Sequence, residues 1–191
     1  MLMTKLAGVR EIMGYAVRDA AGEIGKVNEV YFDERNWTIH HLCVETPEQS
    51  KIILPVSCIE GTEWDKRFFF VDWEKKEPEE KPLPLRGAKE IIGRSIGASD
   101  GVVGYVDDLI FNDADWAVRY LAIEIGGWLN CQKVLVSPWW VEDIQWDRSQ
   151  FRLGITREEI LESPEYQFHA AVDRNYEDQL FEQAHKPKYW V

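Results

Sequence analysis

The chain has 191 residues, 45% apolar and 13% aromatic with nine tryptophans, enough for packed cores and against disorder over most of its length. Carboxylates outnumber Lys and Arg 34 to 22, for a formal charge of −12. This speaks against direct nucleic-acid binding and against anionic membrane surfaces, which both draw affinity from basic side chains.

No run reaches the roughly 18 apolar residues of a membrane span, and the segment from Met1 to Arg10 has no secretory pattern. Cys43, Cys58 and Cys131 are odd in number and form no C-x-x-C, so a reducing, cytoplasmic setting without a disulfide framework is expected.

In chain order the first element signal is a turn at Arg18–Gly22, where glycine supplies the positive φ that other residues resist. Glu23 to Phe32 reads as a strand, and Gly25 within it marks a bulge or a close backbone approach. Asp33 to Asn36 is turn chemistry. Trp37–Glu45, Lys51–Val56 and Arg67–Trp73 follow as strands rich in β-branched and aromatic residues. Five or six short strands in about 65 residues are too few for two packed sheets, so a small sheet curled shut on itself is expected.

The pattern then recurs. Residues 6–46 align without a gap onto 85–125 with twelve identities, among them Gly8/Gly87, Gly25/Gly104, Phe32/Phe111, Trp37/Trp116 and Leu42/Leu121. After a three-residue insertion the match resumes, with Glu60, Trp64, Asp65 and Phe69 falling on Glu142, Trp146, Asp147 and Phe151. The sequence therefore reads as a tandem duplication. Its units are residues 6–73 and 87–155, joined by a charged, proline-bearing linker at 74–86 (EKKEPEEKPLPLR).

Two segments carry a resemblance to a known family: Gly14-x-x-Val17…Gly22-Glu-Ile-Gly25-Lys-Val27, and Gly93…Asp100-Gly101-x-x-Gly104-x-Val106. With Ile52-Ile-Leu-Pro55 they resemble the PRC-barrel domain over roughly residues 8–155. The tail, from Leu153-Gly-Ile-Thr-Arg-Glu-Glu-Ile160 through Ser163-Pro164-Glu-Tyr166, is similar to that of tandem PRC-barrel proteins of bacteria.

The resemblance implies a mainly β chain of two small PRC-type barrels with a helical tail over 156–191. It also implies a docking or scaffolding role, as in the photosynthetic reaction-centre H subunit and a ribosome-maturation factor. No stretch reads as the membrane helix of the former or the separate N-terminal domain of the latter, so neither role transfers residue by residue. A protein partner is expected, with homo-oligomerisation open. The alternatives are a ribosome-assembly accessory that binds ribosomal protein, an accessory to a photosynthetic or other membrane complex, and a small-molecule binder or enzyme.

In the tail, Thr156-x-x-Glu159 is a capping box for a short helix ending near Glu162, before Pro164. Asp173 caps a second helix whose Tyr176, Leu180, Phe181 and Ala184 share one side. That side either packs on the β units or binds a partner.

The chain carries no catalytic, metal or cofactor signature. His40 and His41 are adjacent on a strand and lack ligand spacing. Asp107, Asp108, Asp113 and Asp115 do not follow a calcium loop, and the last two fall in a turn. The candidate binding residues are Trp128, Trp139 and Trp140, which break the symmetry of the repeat where the first copy has small residues such as Ser57 and Cys58. They either pack between the units and under the tail or present an aromatic patch to a ligand or partner.

Overall fold

The computed structural model describes residues 5–75, 84–126, 131–146, 150–167 and 172–188. The first half runs β1 (Leu6–Gly8), α1 (Val9–Ile12), β2 (Ala16–Asp19), β3 (Gly22–Asp33), β4 (Thr38–Glu45), β5 (Lys51–Pro55), β6 (Ile59–Glu63) and β7 (Phe68–Val71). The second runs β8 (Leu85–Gly87), α2 (Ala88–Ile91), β9 (Ser95–Ala98), β10 (Gly101–Asn112), β11 (Val118–Ile125), β12 (Gln132–Val136), β13 (Val141–Gln145) and β14 (Gln150–Leu153). Two helices, α3 (Arg157–Leu161) and α4 (Arg174–Gln183), close the chain. The fold is mainly β with a short helical end.

Local chemistry sets these elements as expected. Gly22 and Gly101 hold φ of 138° and 150° at the hairpin turns, a region disfavoured for any residue with a Cβ. A Cβ on Gly25 or Gly104 would strike the carbonyl oxygen of Glu45 or Glu124 on the adjacent strand, so both glycines mark a close backbone approach.

The strands form two seven-stranded sheets of the same order, β5-β4-β3-β2-β7-β6 and β12-β11-β10-β9-β14-β13. Neither sheet is closed. The end strands β5 and β6, and β12 and β13, have no strand across from one another, which corrects the expectation of barrels curled shut. Curvature comes instead from register shifts in the long strands, such as those between Val27 and Glu29 and between Val106 and Asp108.

The seventh strand of each sheet comes from the other half. β1 pairs antiparallel with β10, and β8 pairs antiparallel with β3. Leu85 and Arg86, placed in the linker by sequence, therefore belong to a strand. The exchanged helices follow the same rule: the Arg10 N–H donates to Asp108 Oδ1 at 3.1 Å, and the Lys89 N–H to Glu29 Oε1 at 3.2 Å.

Between the sheets, Thr38 bridges Ala117, with Ile39 N–H donating to Trp116 O (2.9 Å) and Val118 N–H to Trp37 O (2.7 Å). Trp37 and Trp116 sit at φ of 55° and 58°, a backbone position that costs an aromatic residue about 1–3 kcal/mol. Packing offsets that strain. Trp37 stacks on Phe32 and reaches Phe151 of the other half, while Trp116 stacks on Phe111 and reaches Phe69. The core therefore runs from one half into the other.

Candidate interaction surface

Trp139 and Trp140 lie on a one-turn 3-10 segment, Pro138–Trp140, rather than on an extended strand. Pro138 opens the turn with its φ already fixed, Ser137 Oγ accepts from the Trp139 N–H, and Ser137 O accepts from the Trp140 N–H at 3.0 Å. The turn sends the two rings apart. Trp140 is buried and meets Phe181 of α4 edge-on, with centroids 5.3 Å apart, whereas Trp139 is 64% exposed. They do not form one patch. Trp128 lies outside the described residues.

The apolar side of α4 packs inward, with Leu180, Phe181 and Ala184 all buried. The Asp173 cap accepts from the Tyr176 N–H at 2.9 Å, and the Thr156 box is made in both directions with Glu159. Those backbone and hydroxyl donors hold the Glu159 carboxyl below its ordinary range. Tyr120 on β11 donates its hydroxyl to Glu177 of α4, both buried.

After α3 the chain meets the sheet at Glu165 and Tyr166. Glu165 bridges Val134, and the Tyr166 N–H donates to Lys133 O at 2.7 Å. The outer edge of β12 is thereby covered. Leu135, on the outer face of the sheet, is fully buried, and Tyr176 donates to Pro164 O above it.

Under this tail lies Asp108, 1% exposed. Its Oδ1 accepts from the N–H groups of Arg10 and Leu109, while its Oδ2 is buried with no hydrogen-bond partner and faces Gly8. Desolvation pushes the carboxyl up to about 7, the two N–H donors and Arg10 pull against it, and Asp107 adds to the rise. Burial beside Asp108, Glu11 and Asp107 likewise pushes the Tyr166 hydroxyl up to about 12. Asp107 itself is ion-paired with Lys133 (2.6 Å) and Arg10 (3.4 Å).

The remaining sequence candidates take structural positions. Asp115 accepts from the Ala117 N–H in turn geometry, while Asp113 accepts from the distant Lys5 N–H and ties the start of the chain to the second half. Cys43 and Cys58 are buried, Cys131 is exposed and none of the three forms a disulfide; burial raises the Cys43 thiol above its ordinary pKa, away from nucleophile chemistry. Among the described residues no three His, Cys, Asp or Glu side chains gather as a metal cluster. No helix there is long and apolar enough to cross a membrane.

Hollows also open among the described residues. One of about 430 Å³ lies beside Gly25, Asn28 and Thr46, and one of about 150 Å³ beside Gly97, Gln150 and Arg152. Neither gathers a nucleophile and a base. No family model matches the chain, and no curated protein matches it.

Proposed function

We propose that the chain is a duplicated PRC-barrel-like scaffold that docks other proteins and has no catalytic chemistry of its own. The observation that carries the reading is Trp139. A tryptophan 64% exposed on a turn fixed by Pro138, Ser137 and the buried Trp140 is a large aromatic anchor on a backbone already held by the fold. Such residues dominate binding energy at protein interfaces. The acidic charge of −12 favours a protein partner with basic or neutral docking surface over nucleic acid. The glycine and aliphatic pattern shared with PRC-barrels supports the same role.

The test is quantitative capture from a lysate of the host, with and without nuclease, using the native chain and Trp139→Ala side by side. Proteins retained by the native chain and lost at least tenfold by the variant are expected, with unchanged far-ultraviolet circular dichroism. Ribosomal proteins that survive nuclease would place the scaffold in ribosome assembly, and membrane-complex subunits would place it there instead. Identical recoveries from both forms would remove Trp139 from the function.

A further inference from the structure

The tail covers one of two equivalent edges. β12 pairs with β11 with Lys133 opposite Glu124 and Val134 opposite Ile123. β5 pairs with β4 in the same register, Lys51 opposite Glu45 and Ile52 opposite Val44. Lys51, Ile52, Ile53 and Leu54 therefore stand where Lys133, Val134, Leu135 and Val136 stand in the other sheet. The inner residues Leu54 and Val136 are equally buried. The outer ones are not. Leu135 is fully covered by the tail, and Ile53 is 49% exposed. Among the described residues nothing pairs with the free side of β5.

The occupied edge also says what fits. In an antiparallel strand the N–H and C=O of one residue face the same side, alternating along the chain. Lys133 O points outward to the Tyr166 N–H, so the polar groups of Lys51 and Ile53 point outward on β5. Pro55 lies in the same phase, where its missing N–H disturbs no ladder bond.

Edge strands are commonly protected by Lys and Pro, yet Lys133 occupies the same place on β12 and that edge is paired. The amine of Lys133 is taken up by Asp107. Asn28 replaces Asp107 in the first half and is engaged by Lys89, and Lys51 has no ion pair among the described residues. The open edge therefore offers an outward backbone ladder and an exposed apolar side chain beside Lys51.

We propose that the β5 edge is a strand-addition site for an extended segment of a partner protein that carries an aromatic residue, as the tail carries Tyr166. Its backbone pairs antiparallel across Ile52, and its aromatic residue lies opposite Lys51, donates its N–H to Lys51 O and sets its ring on the Ile53 face. A second copy's tail is the poorer occupant, because Leu180, Phe181 and Ala184 are buried in its own chain and would have to be released.

This rests on the docking role proposed above but uses a different surface, so the two fail separately. The probe is a synthetic hexapeptide with the sequence of residues 162–167 (ESPEYQ), titrated into the full isotope-labelled chain. Amide shift changes are expected at Lys51, Ile52 and Ile53. Affinity should fall at least tenfold in Ile53→Asp and for the peptide N-methylated at its tyrosine, which cannot donate to Lys51 O.

Ile53→Ser serves as a second variant should Ile53→Asp unfold, with an intermediate loss expected. Shifts confined to Lys133–Leu135, or none at the β5 edge, overturn the proposal. So does self-association of the chain that Ile53→Asp abolishes while the peptide shifts no β5 amide, because the edge is then an interface between copies. Either result leaves the Trp139 capture experiment standing on its own.

Discussion

Asp108 links pH to stability in a way that one substitution isolates. Its carboxyl is 1% exposed, Oδ1 takes two N–H donors, and Oδ2 is buried unpartnered against Gly8. The carboxyl is raised from 3.8 to about 7, chiefly by desolvation. Across that window the folded chain keeps a proton that the unfolded chain has released. Stability therefore falls as pH rises from about 4 to about 7 and levels off above.

At 1.36 kcal/mol per pKa unit the whole loss is about 4 kcal/mol, and about 3 kcal/mol of it falls between pH 5 and 8. Asp108→Asn keeps an acceptor for the Arg10 and Leu109 N–H groups and cannot ionise. Urea unfolding of both forms at pH 5, 6, 7 and 8 measures the difference. The variant is expected to gain about 3 kcal/mol on the native chain from pH 5 to pH 8, because all other titrating groups are common to both. A difference that stays constant with pH would refute the reasoning. It would mean that the buried carboxylate is solvated or paired when charged.

Phe181→Ala removes the ring that meets Trp140 edge-on and is expected to cost about 3–5 kcal/mol. Thermal unfolding reads the loss, and the tryptophan emission of the folded variant should shift to the red. A fragment of residues 1–83 lacks β8, which completes the sheet of the first half, and Trp116, which packs on Phe69. It is expected not to fold as a stable monomer, and gel filtration with circular dichroism tests this. A cooperative monomeric transition would show that the exchange is dispensable.

Legibility in the sequence followed the range of the interactions. Turn glycines, β-branched runs and helix caps act within a few residues, so Gly22, Lys51–Pro55, Thr156 and Asp173 fall where the sequence places them. The exchange is different. Leu6-Ala-Gly8 and Leu85-Arg-Gly87 have the same pattern, so nothing local says which of β3 and β10 either one joins.

Asp108 was hidden for a related reason. The register shift after Val106 changes which face the following residues take, and strand alternation read from sequence cannot carry that phase. Two adjacent tryptophans on an extended strand would point to opposite faces. Trp139 is outside, but a 3-10 turn puts it there.

The two halves differ most where the tail lands, and that bears on what each is for. Facing the cores, Val27/Val106, Phe32/Phe111 and Leu42/Leu121 are identical and buried in both halves, as common packing demands. On the outer face, His41, Cys43 and Ile53 stand against Tyr120, Ala122 and Leu135. The second set suits the tail: the Tyr120 hydroxyl reaches Glu177, the small Ala122 leaves room, and Leu135 adds apolar surface. In the first set Cys43 is buried as well, yet Ile53 keeps a large apolar side chain half in water. Removing that exposure with a polar residue would favour solubility at little cost to the core, since Leu54 and not Ile53 points inward. Its presence is therefore better explained by a partner that buries it than by folding. On that argument Ile53→Asp should leave thermal stability within about 0.5 kcal/mol of the native chain while abolishing strand addition at β5.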